Sequence, residues 1–301
     1  MLAWAALHGR LVLVAGLAGG LLLPALAQAM APHLPWMVAV LLFLSAFRIG
    51  HRETLGQLRL IGRSMGALLV LQLGLPVTAF GLFYLAGLAE SGAAVAVVLM
   101  LAAPPITGAP NFTILAGEDP APAMRLLILG TAAFPATALV GFALLPTVGG
   151  GVQAAGGLML KVMGAVAIGF AARAVILPRP TPAQTRSLDG LGVVALAIIV
   201  IGLMAGIGPL LQTDLTALAG WLALAFAANF GLQAAGFAAT RGRLAAPDRA
   251  AFGIIAGNRN IALFLIALPP ETIAILLPFI GAYQVPMYLT PLMLRALAAR
   301  R

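Results

Sequence analysis

The chain's 301 residues carry 17 Lys and Arg against 8 Asp and Glu, a formal charge of +9, and 62% of them are hydrophobic. Charged residues make up only 8%, against about 25% in soluble proteins, and the Arg residues are scattered between apolar runs, which excludes a soluble globular enzyme, a disordered tail and a nucleic-acid binder. The absence of Cys excludes disulfides and thiolate chemistry, and His8, His33 and His51 stand too far apart, near span ends, to form a metal cluster.

Apolar runs bounded by charges or Pro and Gly predict ten transmembrane helices: 10–28, 35–48, 65–87, 92–117, 121–146, 157–177, 190–211, 216–239, 249–268 and 272–296. Helices are expected because the runs are continuous and do not alternate as a membrane β-barrel does. Trp36 and Tyr84, near span ends, read as interface anchors. The fold class is therefore an all-α membrane protein in one transporter domain, 1–301, with 10–146 and 157–296 as two five-helix repeats.

Arg residues set the orientation. Arg48, Arg52, Arg59, Arg63, Arg125, Arg173, Arg179, Arg186, Arg241, Arg243 and Arg249 fall at even-numbered span ends and loops, and Arg10, Arg295, Arg300 and Arg301 at the termini. The odd-numbered loops hold Glu90, Asp214 and Glu271 and no Arg. The positive-inside rule then places both termini in the cytoplasm, with an even number of spans. Leu11 to Ala29 ends in small residues that also suit a signal-peptide cleavage site; cleavage would leave nine spans and spoil the symmetry of the halves.

Five spans per half is an odd number, so the halves enter the membrane from opposite sides as an inverted repeat. Matching features support it: Leu23-Pro24 and Leu177-Pro178 end spans 1 and 6, and Gln72 in span 3 answers Asn229 and Gln233 in span 8. Spans 4 and 9 are each interrupted. Pro104, Pro105, Gly108 and Pro110 forbid a continuous helix in the first, and Gly257-Asn258-Arg259-Asn260 interrupts the second. Arg259 stands ten residues past Arg249, or ~15 Å of helix rise, which is half of a ~30 Å hydrocarbon core. Matched interruptions at one depth point to a transporter's binding site.

A guanidinium at that depth needs a partner. Glu53, Glu90, Glu118, Asp119, Asp189, Asp214, Asp248 and Glu271 all fall near loops. That leaves an anionic substrate or the carbonyl ends of the broken helices, and the residues alone do not choose between them. Lys161 is expected to snorkel to the outer surface.

These segments resemble the bile acid:sodium symporter family. The family's span-4 run, Ala-Pro-Gly-Gly-Thr-Ala-Ser-Asn followed by Thr-Tyr-Leu-Ala-x-Gly-Asp, is met by Ala103, Pro104, Thr107, Thr113, Leu115, Ala116 and Asp119. Gly257 and Asn260 match its span-9 pattern Glu-x-Gly-x-Gln-Asn, Gln72 and Pro76 its span-3 spacing, and Leu42-Phe43 to Arg48 and Leu55 its second span and basic loop. The resemblance implies a four-helix panel on a six-helix core, with spans 4 and 9 crossing at their breaks. It also implies alternating access carrying an organic anion. Members bind sodium at two sites by that crossing, and the matching positions here are Ala109, Pro110, Ala123, Leu127, Ile255 and Arg259, with Gln72 the one surviving side-chain ligand. No cofactor is expected, and the loss of hard oxygen ligands argues against bound sodium. Arg259 is expected to stand in for the cation.

The expected substrate-facing residues are Thr107, Gly108, Asn111, Gln72, Asn258, Arg259 and Asn260, with Gln284, Tyr288 and Thr290 added from span 10. Taken singly, each also reads as an interhelical hydrogen bond. The expected partners are a small organic anion, bile-acid-like or a carboxylate metabolite, and the lipid bilayer of a bacterial inner membrane. A monomer is compatible with the sequence. The alternatives are a sodium-coupled symporter with degenerate sites, an auxin-carrier-like efflux protein, and a non-transporting sensor, which would usually carry a signalling domain beyond Arg301. An enzyme is not expected, since no buried Ser or Thr has a His or Asp nearby in sequence.

Overall fold

The computed structural model describes residues 1–58, 62, 64–145, 148 and 151–298. Among these the regular structure is helical, with one isolated backbone bridge and no strand. Seven helical stretches are long and apolar enough to cross a membrane: Pro24–Ile49, Met65–Leu85, Ala121–Leu144, Gly156–Ile176, Pro182–Thr213, Leu215–Ala239 and Pro270–Leu294. Gly9–Leu22 and Gly92–Ala102 are shorter apolar helices. The architecture is all-α and of the multi-pass membrane type. Arg59, Arg63, Arg300 and Arg301, on which the expected orientation partly rests, lie outside the described residues, as does position 146 at the end of the expected fifth span.

The chain opens with α1 (Leu2–Leu7) and α2 (Gly9–Leu22). α2 stops at Leu23, the residue before Pro24, where the helical conformation is disfavoured. α3 (Pro24–Met30) then runs through one 3₁₀ turn (Ala31–His33) into α4 (Leu34–Ile49). The expected boundary between 28 and 35 is therefore a turn of helix: Pro32 and Pro35 sit in first turns, where a missing N–H is harmless. α5 (His51–Leu58) follows the Gly50 corner. α6 (Met65–Leu69) and α7 (Leu75–Leu85) join through a π-helical turn, Val70–Gly74.

α8 (Gly92–Ala102), α9 (Ala109–Leu115), α10 (Ala121–Leu144) and α11 (Gly151–Ile176) come next. α12 (Pro182–Leu203) begins well before the expected position 190, because Thr181 and Gln184 form a capping box in which each side chain accepts the other's backbone N–H, at 3.2 and 2.8 Å. A 3₁₀ turn leads to α13 (Ile207–Thr213). α14 (Leu215–Phe226) and α15 (Leu232–Ala239) join through a second π-helical turn, Ala227–Gly231. α16 (Ala246–Gly257), a 3₁₀ helix (Ile261–Ile266) and α17 (Pro270–Ala298) complete the chain.

Packing sorts these elements. α2, α3, α4, α11 and α12 lie against one another; α7, α8, α10 and α14 to α17 form a second group, in which α9 packs on α10, α16 and α17, while the 3₁₀ helix Ile261–Ile266 lies most against α4 and also touches α8, α11 and α17. α8 is buried from Ala94 onward. The ring of Phe264, from the 3₁₀ helix, meets Phe134 and Phe142 of α10 edge to face at centroid distances of 5.0 and 5.6 Å. Such aromatic pairs prefer this geometry and help fix one helix against another.

Candidate functional site

Two interruptions face each other at the centre of the second group of helices. α8 ends where Ala103, preceding Pro104, turns to an extended conformation (φ −68°, ψ 153°). The chain re-enters helix at Ala109, with Pro110 in the first turn. α16 ends at Gly257, and Asn258 is also extended. The two extended pieces pair antiparallel: Ile106 N–H donates to the Asn258 carbonyl (3.1 Å) and Asn260 N–H to the Pro104 carbonyl (2.9 Å), with Pro105 opposite Arg259. Each break thus satisfies backbone groups that would otherwise cost several kcal/mol apiece inside a bilayer.

Arg259 is 1% exposed and points across this pair. Its Nη1 donates to the Ala103 carbonyl at the end of α8 (3.0 Å), and its Nη2 to the Leu71 carbonyl in the first π-helical turn (2.6 Å). A π turn leaves carbonyls displaced from the regular ladder, and one of them receives the guanidinium. Of these two carbonyls, that of Ala103 ends a broken helix and that of Leu71 belongs to a bulged one. Its backbone N–H donates to the Tyr283 hydroxyl (3.1 Å), which in turn donates to the Gly257 carbonyl. Among the described residues its Nε–H has no partner.

A polar cluster borders it. Asn229, in the second π-helical turn, donates to the Gly257 carbonyl (2.6 Å) and to Asn258 Oδ1 (3.1 Å). Gln233 donates to Asn229 Oδ1 (2.7 Å) and Thr290 Oγ1 (3.1 Å). Gly257 has to be glycine: a Cβ there would overlap the Asn229 carbonyl oxygen and sit 2.7 Å from Gln233 Cγ. On the other side Gln72 donates to the Gly130 carbonyl (3.1 Å) and Thr137 Oγ1 (3.3 Å), and its Oε1 has no partner among the described residues. A Cβ at Gly130 would meet Pro105 Cδ at 2.6 Å and that Oε1 at 2.9 Å.

The sequence-predicted residues thus divide by access. Gln72, Asn258, Arg259 and Thr290 are buried around the crossing. Thr107 and Asn111 are exposed, and Gly108 and Asn260 half-buried, on the rim of the same segments. Gln284 and Tyr288 make no hydrogen bond to this network: Gln284 donates to Ile280 in its own helix, and among the described residues its Oε1 and the Tyr288 hydroxyl have no partner. Ala109, Ala123 and Ile255 pack with Leu71, Leu126, Ala251 and Ala256 into one apolar cluster. Pro110 and Leu127 are buried as well. Lys161, expected at the outer surface, is exposed, and its ammonium donates to the Ile266 carbonyl (3.0 Å), which ends the 3₁₀ helix.

Sequence reasoning overlooked Tyr283. The signal was present: a phenol in the middle of an apolar span must find a buried partner for its hydroxyl. Leu71 was not legible, since its contribution is a carbonyl. No family model matches the chain, and comparison with characterised proteins matches none of them.

Proposed function

We propose that the protein is a ten-span secondary transporter of small organic anions, built from two inverted five-helix repeats as in the bile acid:sodium symporter family that its sequence resembles. In this reading α2, α4, α11 and α12 form the panel, and the helices around the paired breaks form the moving core. The matched π-helical turns, each followed in the chain by a broken span, support the repeat. They carry Gln72 in one half and Asn229 in the other.

The observation that carries the mechanism is the surroundings of Arg259. Backbone carbonyls of Ala103 and Leu71 hold its guanidinium, while Ala109, Ala123 and Ile255, at family sodium-ligand positions, lie in an apolar cluster. A hard cation needs several oxygen ligands and usually a carboxylate, which this cluster does not offer. The guanidinium is a permanent, non-dissociating cation in that place, so transport proceeds without sodium. Among the described residues no Asp or Glu is buried, which argues against a proton carrier at the crossing.

Arg259 is too enclosed to touch substrate in this conformation. The surface on which an anion is recognised is the rim, Thr107, Gly108, Asn111 and Asn260, whose amides and hydroxyl suit a carboxylate. Uptake of labelled organic anions into proteoliposomes tests the reading. Uptake is expected to be the same with and without a sodium gradient, and lost in Arg259→Gln but partly kept in Arg259→Lys. Uptake driven by sodium, or unchanged in Arg259→Gln, overturns it. A non-transporting sensor on the same fold would bind anions, read by thermal shift, yet move none.

A further inference from the structure

We infer that the hollow where α4, α5 and α11 meet binds a phosphate group, carried by an anionic phospholipid or free in solution. The hollow has a volume of ≈ 250 Å³ and is lined by Gly50, His51, Arg52 and Arg173, with Ile49 and Ala174 as its apolar wall. Two arginines and a histidine therefore line one concavity, and among the described residues no carboxylate lines it. Asp189 is taken by Arg48 at 2.7 Å.

Arg173 gives the site its rigidity. It is only 9% exposed, and its Nη1 is held by the Phe47 and Arg48 carbonyls at the end of α4 (2.9 and 3.0 Å). Its Nε and Nη2 make no hydrogen bond among the described residues. Gly50, with φ +82°, offers no side chain to cover that face; a Cβ there would lie 3.9 Å from Nε. A guanidinium fixed through one nitrogen, with a planar edge left over, matches a phosphate's oxygens.

Depth argues for a headgroup. The apolar stretches Pro24–Ile49 and Gly156–Ile176 both end at this hollow, which puts it where lipid phosphates lie if the two helices span the bilayer. Basic pockets between helix ends are a recurrent way of holding anionic lipid.

The test uses the full chain in detergent and in nanodiscs, with phosphatidylglycerol, phosphatidylcholine and inorganic phosphate as probes. Lipid retention is read by native mass spectrometry and phosphate binding by thermal shift. Phosphatidylglycerol is expected to be retained about tenfold better than phosphatidylcholine, and Arg52→Gln to remove about tenfold of that, as for one charge-assisted hydrogen bond. Arg241→Gln, outside the hollow, serves as control and is expected to bind as the parent does. Retention that free phosphate does not displace assigns the site to lipid; a phosphate-induced shift lost in Arg52→Gln, with no lipid preference, assigns it to a soluble ligand. Equal retention of both lipids with no phosphate shift, or binding unchanged in Arg52→Gln, overturns the proposal.

Discussion

At the scale of single residues, the centre of the molecule depends on side chains that serve backbone groups. Arg259 and Tyr283 between them hold the Ala103, Leu71 and Gly257 carbonyls, and those carbonyls exist as free acceptors because helices are broken or bulged there. Tyr283→Phe keeps the ring packing on Phe279, 5.5 Å away, and removes the hydroxyl. It is expected to lower stability by about 1–2 kcal/mol, read as a lower melting temperature of the purified protein. Unchanged melting would mean that Asn229, which also donates to Gly257, suffices. The sequence disclosed Arg259 through its improbable depth, whereas nothing about Leu71 as an apolar residue signals that its carbonyl is needed.

At the scale of elements, the two breaks have different origins. Span 4 is broken by its own chemistry: Pro104, Pro105 and Pro110 cannot sit in one continuous helix. The break after α16 has no proline. Its extended backbone is held by the pairing with Pro104 and Ile106 and by the close approach of the π-helical turn at Asn229. Gly257→Ala blocks that approach and is expected to cost about 3 kcal/mol or more, seen as loss of monodisperse protein or a sharply lowered melting temperature. A neutral result would show that α15 and α16 can separate freely.

A second element-level tie links the two groups of helices, from Lys161 of α11 to the end of the 3₁₀ helix at Ile266. If the groups move against each other, this bond breaks in each cycle. Lys161→Met is expected to speed amide hydrogen exchange across 261–266 several-fold, because the last turn loses its cap. It is also expected to change stability by no more than about 1 kcal/mol, read from the melting temperature. Unaltered exchange would show that the tie does not limit opening.

At the scale of the whole molecule, the expected topology follows from charge placement, and reporter fusions read it directly. Fluorescent-protein fusions that mature only in the cytoplasm are expected to report at both termini, and a periplasm-active reporter inserted at Glu90 to report on the opposite side. Signal from only one terminus would give an odd number of spans and end the inverted-repeat reading. The apolar stretches that meet length and hydropathy for a span number seven. The remaining expected spans are the short α2 and the two broken segments, and crossing with fewer helical residues is feasible only where breaks are enclosed by protein.

The membrane environment, the helical class and the break in span 4 are legible in the chain alone, because hydropathy and proline act within a few residues. The sequence also singled out Arg259, since a charge in an apolar run is visible without any neighbour. Tertiary structure decided what that charge does: which carbonyls receive it, that Asn258 and Asn260 pair with Pro104 and Ile106, and that Ala109, Ala123 and Ile255 gather into one dry cluster. Those outcomes join residues more than a hundred positions apart, and contacts of that range leave no local trace in composition or periodicity.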